Sequence, residues 1–440
     1  MSKLWKKGSQ PQLNKLIEDY TVGDDVEMDH QLVIYDIIAS HAHAEGLERI
    51  GILTKVECEQ LTNALQELMK DVQEDKFEIT ISDEDCHTAI ENYLVEKLGD
   101  VGKKIHTGRS RNDQVLVALR LYMLNHIDII RIKGSQLADD LVAAITKYQN
   151  IPLPGYTHTQ QAMMSSVGHL YSAYLESLLD DMEMLQMVAD YLDKNPLGSA
   201  AGFGVSMALD REFSAEVLGF DAIQTNSLYC QNSRGKYEGF YLEGILQVMM
   251  TLGRIASDLI LYTSKEFNFF EIDQSLVTGS SIMPQKRNLD GLEILRGHVH
   301  TVTSHHHLVH SIPQGLISGY HRDTQLMKKP LMESTFIVLQ SLEVASLYIT
   351  GATPHAEEIE SKISSGIYAA DVANKLVKEK GVPFREAYQK AMDILDGEKI
   401  SPAKNIASKI SLGAPGNLDF EGLRERSSDL KESVNDTFQD

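Results

Sequence analysis

The middle of the chain carries a hydrophobic pattern with helical spacing. Between Leu116 and Tyr148, apolar or small residues recur in steps of three and four, at positions 116, 119, 123, 127, 130, 134, 137, 141, 145 and 148. This spacing predicts one helix of about 33 residues, roughly 50 Å long, that ends at the proline-containing segment 150–155. The same reasoning predicts four further long helices, at about 162–192, 236–268, 290–311 and 323–350.

Five long helices with short connections predict an all-α protein built around a helical bundle. Shorter helical patterns on either side give three expected domains: an N-terminal helical domain (1–111), the central long-helix bundle (112–352) and a small C-terminal helical domain (353–440). No stretch shows the sustained alternation of apolar and polar residues that is typical of strands. One chain cannot cover the apolar stripes of helices this long, so we expect an oligomer.

The composition narrows the classes of partner and compartment. The net charge of −22 over 440 residues argues against nucleic acid or an anionic membrane as a partner. An anionic substrate would therefore need local arginines and lysines. Cys58, Cys86 and Cys230 lack metal-type spacing, and the N-terminal residues lack the apolar core of a signal peptide. Since no run of eighteen apolar residues is present, we expect a soluble cytoplasmic protein.

The segment 279–288 combines residue types that suit proton abstraction beside a carboxylate. Ser280 and Ser281 supply hydroxyl groups, Lys286 supplies an ammonium group and Asn288 supplies an amide. These groups could hold a carboxylate while a proton is removed from the neighbouring carbon. The alternative is an ordinary linker rich in serine, glycine and proline.

A second polar segment, 107–114, stands directly before the longest predicted helix. A helix N-terminus favours anions, and Arg111 adds a fork-shaped donor for a carboxylate, with Asn112 beside it. The alternative is a simple helix cap by Ser110 or Asn112.

Two further segments carry candidate chemistry. In 155–160, His158 follows Thr157 and could carry a proton if a carboxylate such as Glu293 raised its basicity. A structural histidine is the alternative. In 320–328, three side chains could bind a zwitterionic amino-acid group or form solvated surface; they are Tyr320, Gln325 and Lys328.

A run of histidines near position 300 raises a metal hypothesis. His306 and His310 share one helical face, yet the run lacks an adjoining Glu or Cys pattern. The sequence favours a surface or interface helix over a metal site. The other histidines of the run are His298, His300, His305 and His307.

Several of these segments resemble a known family. Residues 279–288 read Gly-Ser-Ser-Ile-Met-Pro-Gln-Lys-Arg-Asn and resemble the signature loop of the fumarase/aspartase superfamily. Within that superfamily, the segments 108–114, 155–158 and 381–388 are similar to those of the argininosuccinate lyase family. The resemblance covers nearly the whole chain.

The resemblance implies three mostly helical domains and a homotetramer whose active sites are shared between subunits. It implies the reversible cleavage of argininosuccinate to arginine and fumarate, the last step of arginine biosynthesis, without a cofactor or a metal. Other lyases of the superfamily, such as adenylosuccinate lyase, and a crystallin-like structural protein are the competing interpretations.

The resemblance also implies roles for individual residues. Ser280 would take the proton, and Lys286 and Asn288 would stabilise the resulting aci-carboxylate. His158, oriented by Glu293, would take part in proton transfer, either by priming Ser280 or by protonating the leaving nitrogen. The succinyl carboxylates would be held by Arg111, Asn112, Thr157 and Ser281, and the arginine half by Tyr320, Gln325 and Lys328.

Two departures from the family pattern leave positions open. The stretch 20–25 stands where relatives often have a serine that contacts the substrate, and Thr21 is a possible substitute. The surroundings of Arg234 also differ from the family pattern, so its role is open.

Overall fold

The computed structural model describes residues 14–395 and 400–436. The N-terminal stretch that lacks a signal-peptide pattern lies outside these residues. The predicted all-α class is confirmed, since 69% of the described residues are helical and the strands among them are few. The helices are α1 (Lys15–Val22), α2 (Asp25–Arg49), α3 (Lys55–Gln73), α4 (Cys86–Leu98), α5 (Asp100–Lys103), α6 (Arg111–Tyr148), α7 (Val167–Leu192), α8 (Arg211–Val217), α9 (Ser227–Asn232), α10 (Lys236–Tyr262), α11 (Asp290–Ser311), α12 (Lys328–Gly351), α13 (Ala356–Ser361), α14 (Ala369–Lys380), α15 (Phe384–Leu395), α16 (Pro402–Ser408) and α17 (Phe420–Asp436).

The strands form two-stranded pairs. Three pairs are antiparallel and the pair of β3 with β4 is parallel. The strands are β1 (Pro152–Thr157), β2 (Gln160–Ser166), β3 (Lys194–Asn195), β4 (Ala222–Ile223), β5 (Phe270–Ile272), β6 (Thr278–Gly279), β7 (Arg287–Asn288) and β8 (Ala352–Pro354).

The longest helix, α6, begins five residues before its apolar pattern does. Its 38 residues start with polar side chains that satisfy the free N–H groups of the first turn. The Ser110 N–H donates to the Asp113 carboxylate at 2.8 Å, and the Ser110 hydroxyl accepts from the Asn112 N–H at 3.3 Å. Capping of this kind carries no hydrophobic signal, so periodicity alone placed the start too late.

The second long helix was predicted to start too early. Residues 160–166 form strand β2, which pairs antiparallel with β1, and α7 starts only at Val167. The two strands are joined by a turn of two residues, His158 and Thr159, both with positive φ (51° and 61°). Two successive residues with positive φ match the twist of a hairpin but rarely occur without glycine, so the hairpin could not be predicted from the sequence.

The described chain divides into two compact units. Unit 1 comprises Met1–Asp128, Leu185–Ile245 and Val302–Phe336; unit 2 comprises Ile129–Met184, Leu246–Thr301 and Ile337–Asp440. The boundaries fall inside α6, α7, α10, α11 and α12, so that each of these helices supplies residues to both units. The division into three domains by sequence stays a prediction.

Each unit has its own apolar clusters. In unit 1, one cluster joins Ala39 of α2 and Val117 of α6 to Ala215 of α8, with Leu197 and Phe220. In unit 2, a second cluster packs α14, α15 and α16 onto strand β2. It contains Met164, Ile367, Tyr368, Val372, Ala373, Ala387, Ala391, Leu395 and Ile406. Burial of each large side chain contributes roughly 2 kcal/mol, which fixes these short helices in place.

One stretch of the described chain, Ser227–Tyr262, is long and apolar enough to cross a membrane by length and composition. Its most apolar window is 61% buried inside the protein. A core helix of a soluble protein has the same properties, so this stretch is weak evidence for a membrane span.

Helix α3 begins with a capping box that offers a direct test of local stability. The Thr54 hydroxyl accepts from the Glu57 N–H, and the Glu57 carboxylate accepts from the Thr54 N–H at 3.0 Å. Thr54→Ala should lower the free energy of unfolding by about 1 kcal/mol, because one N–H loses its partner. Urea unfolding at fixed protein concentration measures this. Thr62→Ala is the matched control, since that hydroxyl bonds only to carbonyls of its own helix, and its effect should stay within about 0.5 kcal/mol. Equal effects of both substitutions would contradict the capping argument.

Candidate active site

Unit 1 contains a polar cavity of about 90 Å³. Its walls come from residues near the starts of α2, α4, α6 and α12 and from the segment before α12. Five residues predicted from the sequence line this one cavity, namely Arg111, Asn112, Tyr320, Gln325 and Lys328. The structure therefore brings together two polar segments that are about 200 residues apart in the chain.

Arg111, the first residue of α6, is held by two acids. Its Nη1 donates to Asp85 at 2.8 Å and to Glu84 at 3.1 Å. Asp85 is also the N-cap of α4, where it accepts from the Thr88 N–H at 2.8 Å. Burial alone would raise the pKa of Asp85. The positive charges of His87 and Arg111 outweigh burial, so the pKa lies below its ordinary value. Asp85 was not a candidate from the sequence, because an acid at a helix start is already explained by the helix dipole.

Lys328, the first residue of α12, is buried between two acids of α2. Its Nζ lies 2.7 Å from Asp29 Oδ1 and 3.2 Å from Asp25 Oδ1. Burial lowers the pKa of Lys328, but Asp29 and Asp25 together raise it above its ordinary value. Asp25 also lines the cavity, and burial raises its pKa to about 6 against the opposing effect of Lys328. Neither aspartate was a candidate from the sequence.

His87 is a further cavity residue that sequence reasoning missed. Its side chain is buried, its Nδ1 lies 2.7 Å from Asp36 Oδ2, and its Nε2 has no hydrogen-bond partner in the described residues. Burial lowers the pKa of His87, yet the charge and hydrogen bond of Asp36 raise it above its ordinary value. The ring is thus oriented by a carboxylate on one side, with its second nitrogen left for another group.

The pKa of His87 can be tested directly. We expect its ring to stay protonated above pH 6.5, as followed by NMR of the labelled histidine ring. Asp36→Asn should lower the pKa, because burial then acts without the opposing charge. Since the folded pKa exceeds the unfolded one, the Asp36–His87 interaction stabilises the fold fully below pH 6.5 and is lost as the pH rises through the folded pKa. Titration of His87 below pH 6.5 in the wild type would contradict this.

The two positions left open by the sequence have defined surroundings. The Thr21 hydroxyl donates to the Ile17 carbonyl of its own helix at 2.8 Å, whereas the Thr21 carbonyl accepts from Arg322 and Gln325, each at 2.9 Å. From this part of the chain it is Asp25 that lines the cavity.

Arg234 also lines the cavity, but its guanidinium is engaged. It donates to Glu238 at 2.7 Å and to the Thr324 carbonyl at 3.0 Å. It therefore ties the start of α10 to the segment that carries Gln325.

The signature segment of unit 2 is a small hairpin. Gly279 in β6 pairs with Arg287 in β7, and the residues between them form the connecting loop. The Ser280 oxygen accepts from the N–H groups of Ile282 at 3.3 Å and Met283 at 3.1 Å. Ser281 and Lys286 are exposed, and Asn288 is half-buried at the end of β7.

Thr157 and His158 lie at the tip of the β1–β2 hairpin, also in unit 2, and both are exposed. Two successive non-glycine residues in the left-handed region, His158 and Thr159, cost on the order of 1–2 kcal/mol each. Such strain is often found at functional positions. Glu293 is exposed in the first turn of α11, and no hydrogen bond or ion pair joins it to His158 in the described chain. The orientation of His158 by Glu293 stays a prediction.

Two groups bear on the metal question. Asp36, Cys86 and His87 hold donor atoms within 4.8 Å of one another, but His87 Nδ1 and Asp36 Oδ2 already share a hydrogen bond of 2.7 Å. In the histidine run, His306 pairs with Glu243 at 3.0 Å, and His305 pairs with Glu333 at 3.5 Å. These contacts suit the predicted surface or interface helix, and the absence of a metal stays a prediction.

Known proteins with similar sequences decide the family. Residues 12–303 match the model of a family described as lyase. An argininosuccinate lyase of Thermotoga neapolitana is 43% identical over 397 residues, which cover 90% of this chain and 99% of the relative. One of Xanthomonas oryzae pv. oryzae is 38% identical over 430 residues, covering 97% of this chain and 99% of the relative. The chain belongs to the argininosuccinate lyase family.

Solved structures agree on the fold of this family. An EDDS lyase in complex with formate aligns with a TM-score of 0.81 at 19% identity, covering 98% of this chain and 93% of that chain. A class II fumarase from Schistosoma mansoni aligns with a TM-score of 0.72 at 16% identity, covering 94% and 91%. At these identities the likeness shows the fold alone. It confirms the predicted all-α fold of several domains.

Proposed function

We propose that the protein cleaves argininosuccinate reversibly to arginine and fumarate without a cofactor, as the last step of arginine biosynthesis. Relatives that carry this name match almost the full chain at 38–43% identity. The observation that carries the proposal to this chain is the cavity of unit 1. Two of the predicted succinyl-binding residues, Arg111 and Asn112, line the same space as the three predicted arginine-binding residues.

Binding of the succinyl half rests on Arg111 and Asn112. Asp85 and Glu84 orient the guanidinium of Arg111 before substrate arrives, which reduces the entropy lost when a carboxylate binds. Thr157 and Ser281 supply exposed hydroxyl groups to the same carboxylates. On the other half, the segment 320–328 supplies Tyr320, Gln325 and Lys328.

The chemical step is an elimination. Ser280 removes a proton from the carbon next to a succinyl carboxylate, and Lys286 and Asn288 stabilise the aci-carboxylate that forms. The C–H electrons become the double bond of fumarate, the C–N bond breaks, and the guanidino nitrogen receives a proton. His158, oriented by Glu293, serves in this proton transfer. A serine is a weak base, so closure of the loop must activate it.

We infer that these groups meet in a cytoplasmic homotetramer whose active sites are shared between subunits. Two observations support the assembly. The tip of the His158 hairpin and residues 281–287 of the signature loop are exposed in the single chain. The long helices also carry large exposed apolar side chains that a second copy would cover, including Met187, Phe240, Met250, Phe336 and Leu347.

The test is the appearance of fumarate by ultraviolet absorbance, with argininosuccinate as substrate and adenylosuccinate as the comparison. Release from argininosuccinate alone is expected, from a particle of tetrameric mass in sedimentation. Release only from adenylosuccinate would assign another superfamily reaction. If the folded tetramer releases fumarate from neither compound, a crystallin-like structural role is favoured.

A further inference from the structure

The cavity contains an imbalance of charge at Lys328. One ammonium faces two carboxylates, Asp29 at 2.7 Å and Asp25 at 3.2 Å. Asp29 is fully buried and also accepts from the Cys86 N–H at 2.9 Å, so both of its oxygens are engaged within the fold. Asp25 makes the longer contact and is the one of the two that lines the cavity.

Among Lys328, Asp29 and Asp25, one negative charge is thus left without a cation of its own in a buried place. The guanidinium of Arg322, which lines the same cavity, lowers the pKa of Asp25 less than burial raises it. A buried carboxylate without a full complement of donors is costly, and burial together with Asp29 raises the pKa of Asp25 to about 6. At neutral pH the group is nevertheless ionised. A cationic group of a ligand would therefore gain more from Asp25 than it would from an exposed carboxylate.

The neighbours of Asp25 indicate which cation fits. Two cations that can face a carboxylate line the same cavity, the ammonium of Lys328 and the guanidinium of Arg322, whereas the Gln325 amide already donates to the Thr21 carbonyl at 2.9 Å. The ammonium and carboxylate of an α-amino acid are attached to one carbon, so a site for them needs an acceptor and donors side by side. In free arginine the guanidinium has no carboxylate beside it. In argininosuccinate the carboxylates beside it are those of the succinyl half, which the proposed function assigns to Arg111 and Asn112, so the α-ammonium and α-carboxylate are the pair left for Asp25 and Lys328.

We propose that Asp25 binds the α-ammonium group of the arginine half of the substrate and thereby determines specificity for an α-amino acid. The identity of the amino acid rests on the proposed function. Lys328 then has two roles, since it holds Asp25 in place and adds a positive charge for the α-carboxylate.

The test compares two ligands that differ only in this ammonium group. L-Arginine carries it, and 5-guanidinopentanoate lacks it but keeps the carboxylate and the guanidinium. Binding of each to the intact protein is measured by calorimetry. Wild type should bind L-arginine at least about tenfold more tightly, which corresponds to one charge-assisted hydrogen bond. In Asp25→Asn the preference should fall below about threefold, through weaker binding of L-arginine alone.

The neighbouring aspartate provides a matched control. Asp24 is exposed and pairs with Lys329 at 2.7 Å, so Asp24→Asn should keep the wild-type preference. Asp25→Asn should fold, because the ionised carboxylate lowers stability above pH 6 and Asp29 still pairs with Lys328. Asp25→Ser is measured in parallel, so that the proposal can still be tested if Asp25→Asn does not fold.

Two results would overturn the proposal. One is an unchanged preference in both Asp25 variants, and the other is an equal loss of affinity for both ligands, which would place the guanidinium at Asp25. A wild type that shows the expected preference but releases no fumarate would keep the role of Asp25 and remove the proposed reaction.

Discussion

Ser280→Ala should lower the rate of fumarate release by about a thousandfold or more. The substitution removes the oxygen that takes the proton, and no other described hydroxyl of the signature loop except Ser281 could replace it. The KM should change little, because Ser280 acts in the transition state more than in binding. Stopped or continuous assays of fumarate absorbance measure both constants.

The loop itself should survive this substitution. The Ser280 oxygen accepts from two backbone N–H groups of an exposed turn, and water can replace it there. Ser275→Ala is the matched control, since Ser275 is an exposed serine of the preceding turn that bonds only to Asp273. Its activity should equal that of wild type. Activity that persists in the Ser280 variant would keep the reaction and exclude Ser280 as the base.

Lys328→Met should have the largest effect on stability, a loss of about 3–5 kcal/mol in the free energy of unfolding. The substitution leaves two buried carboxylates, Asp25 and Asp29, without their cation. Since the pKa of Lys328 is raised in the fold, its contribution is fully present below about pH 10 and is lost only above that. Urea unfolding at pH 7 and at fixed protein concentration measures the loss.

The adjacent lysine, Lys329, provides a control that loses the same charge at an exposed position. Lys329 makes an ion pair of the same length with Asp24, but both side chains are about half exposed. Lys329→Met should therefore cost less than about 1 kcal/mol. Similar losses of unfolding free energy in the two variants would show that burial of Lys328 with Asp25 and Asp29 does not strengthen its contribution to stability.

Local patterns predicted the local structure well. The steps of three and four predicted α6 as one long helix, and they predicted α11 at 290–311, where the structure has it. The hairpin at Gln160–Ser166 was missed because its mixture of apolar and polar residues also fits a helix, and its turn has no glycine. Competing local readings of this kind are resolved only by contacts with the rest of the protein.

Prediction of the cavity residues was limited in the same way, by contacts between residues far apart in the sequence. Arg111 could be named from the sequence because a helix start suits anion binding. Lys328 could be named because it belongs to a short polar segment, 320–328, that could bind a zwitterionic amino-acid group. Asp25, Asp36 and His87 could not, since their roles come from contacts across the fold. Lys328 and Asp29 are 299 residues apart, and Asp36 and His87 are 51 apart. Sequence spacing does not predict contacts between residues so far apart.

The division of the chain into interleaved segments has a consequence for synthesis on the ribosome. Unit 1 is assembled from three separate stretches, and the last of them ends at Phe336. A nascent chain that has emerged only as far as Asp128 lacks the segments that cover Ala39 and Val117, among them Leu197 and Phe220. Native packing of the N-terminal part must therefore wait until most of the polypeptide has been translated, and until then its apolar surfaces are open to chaperones and to aggregation.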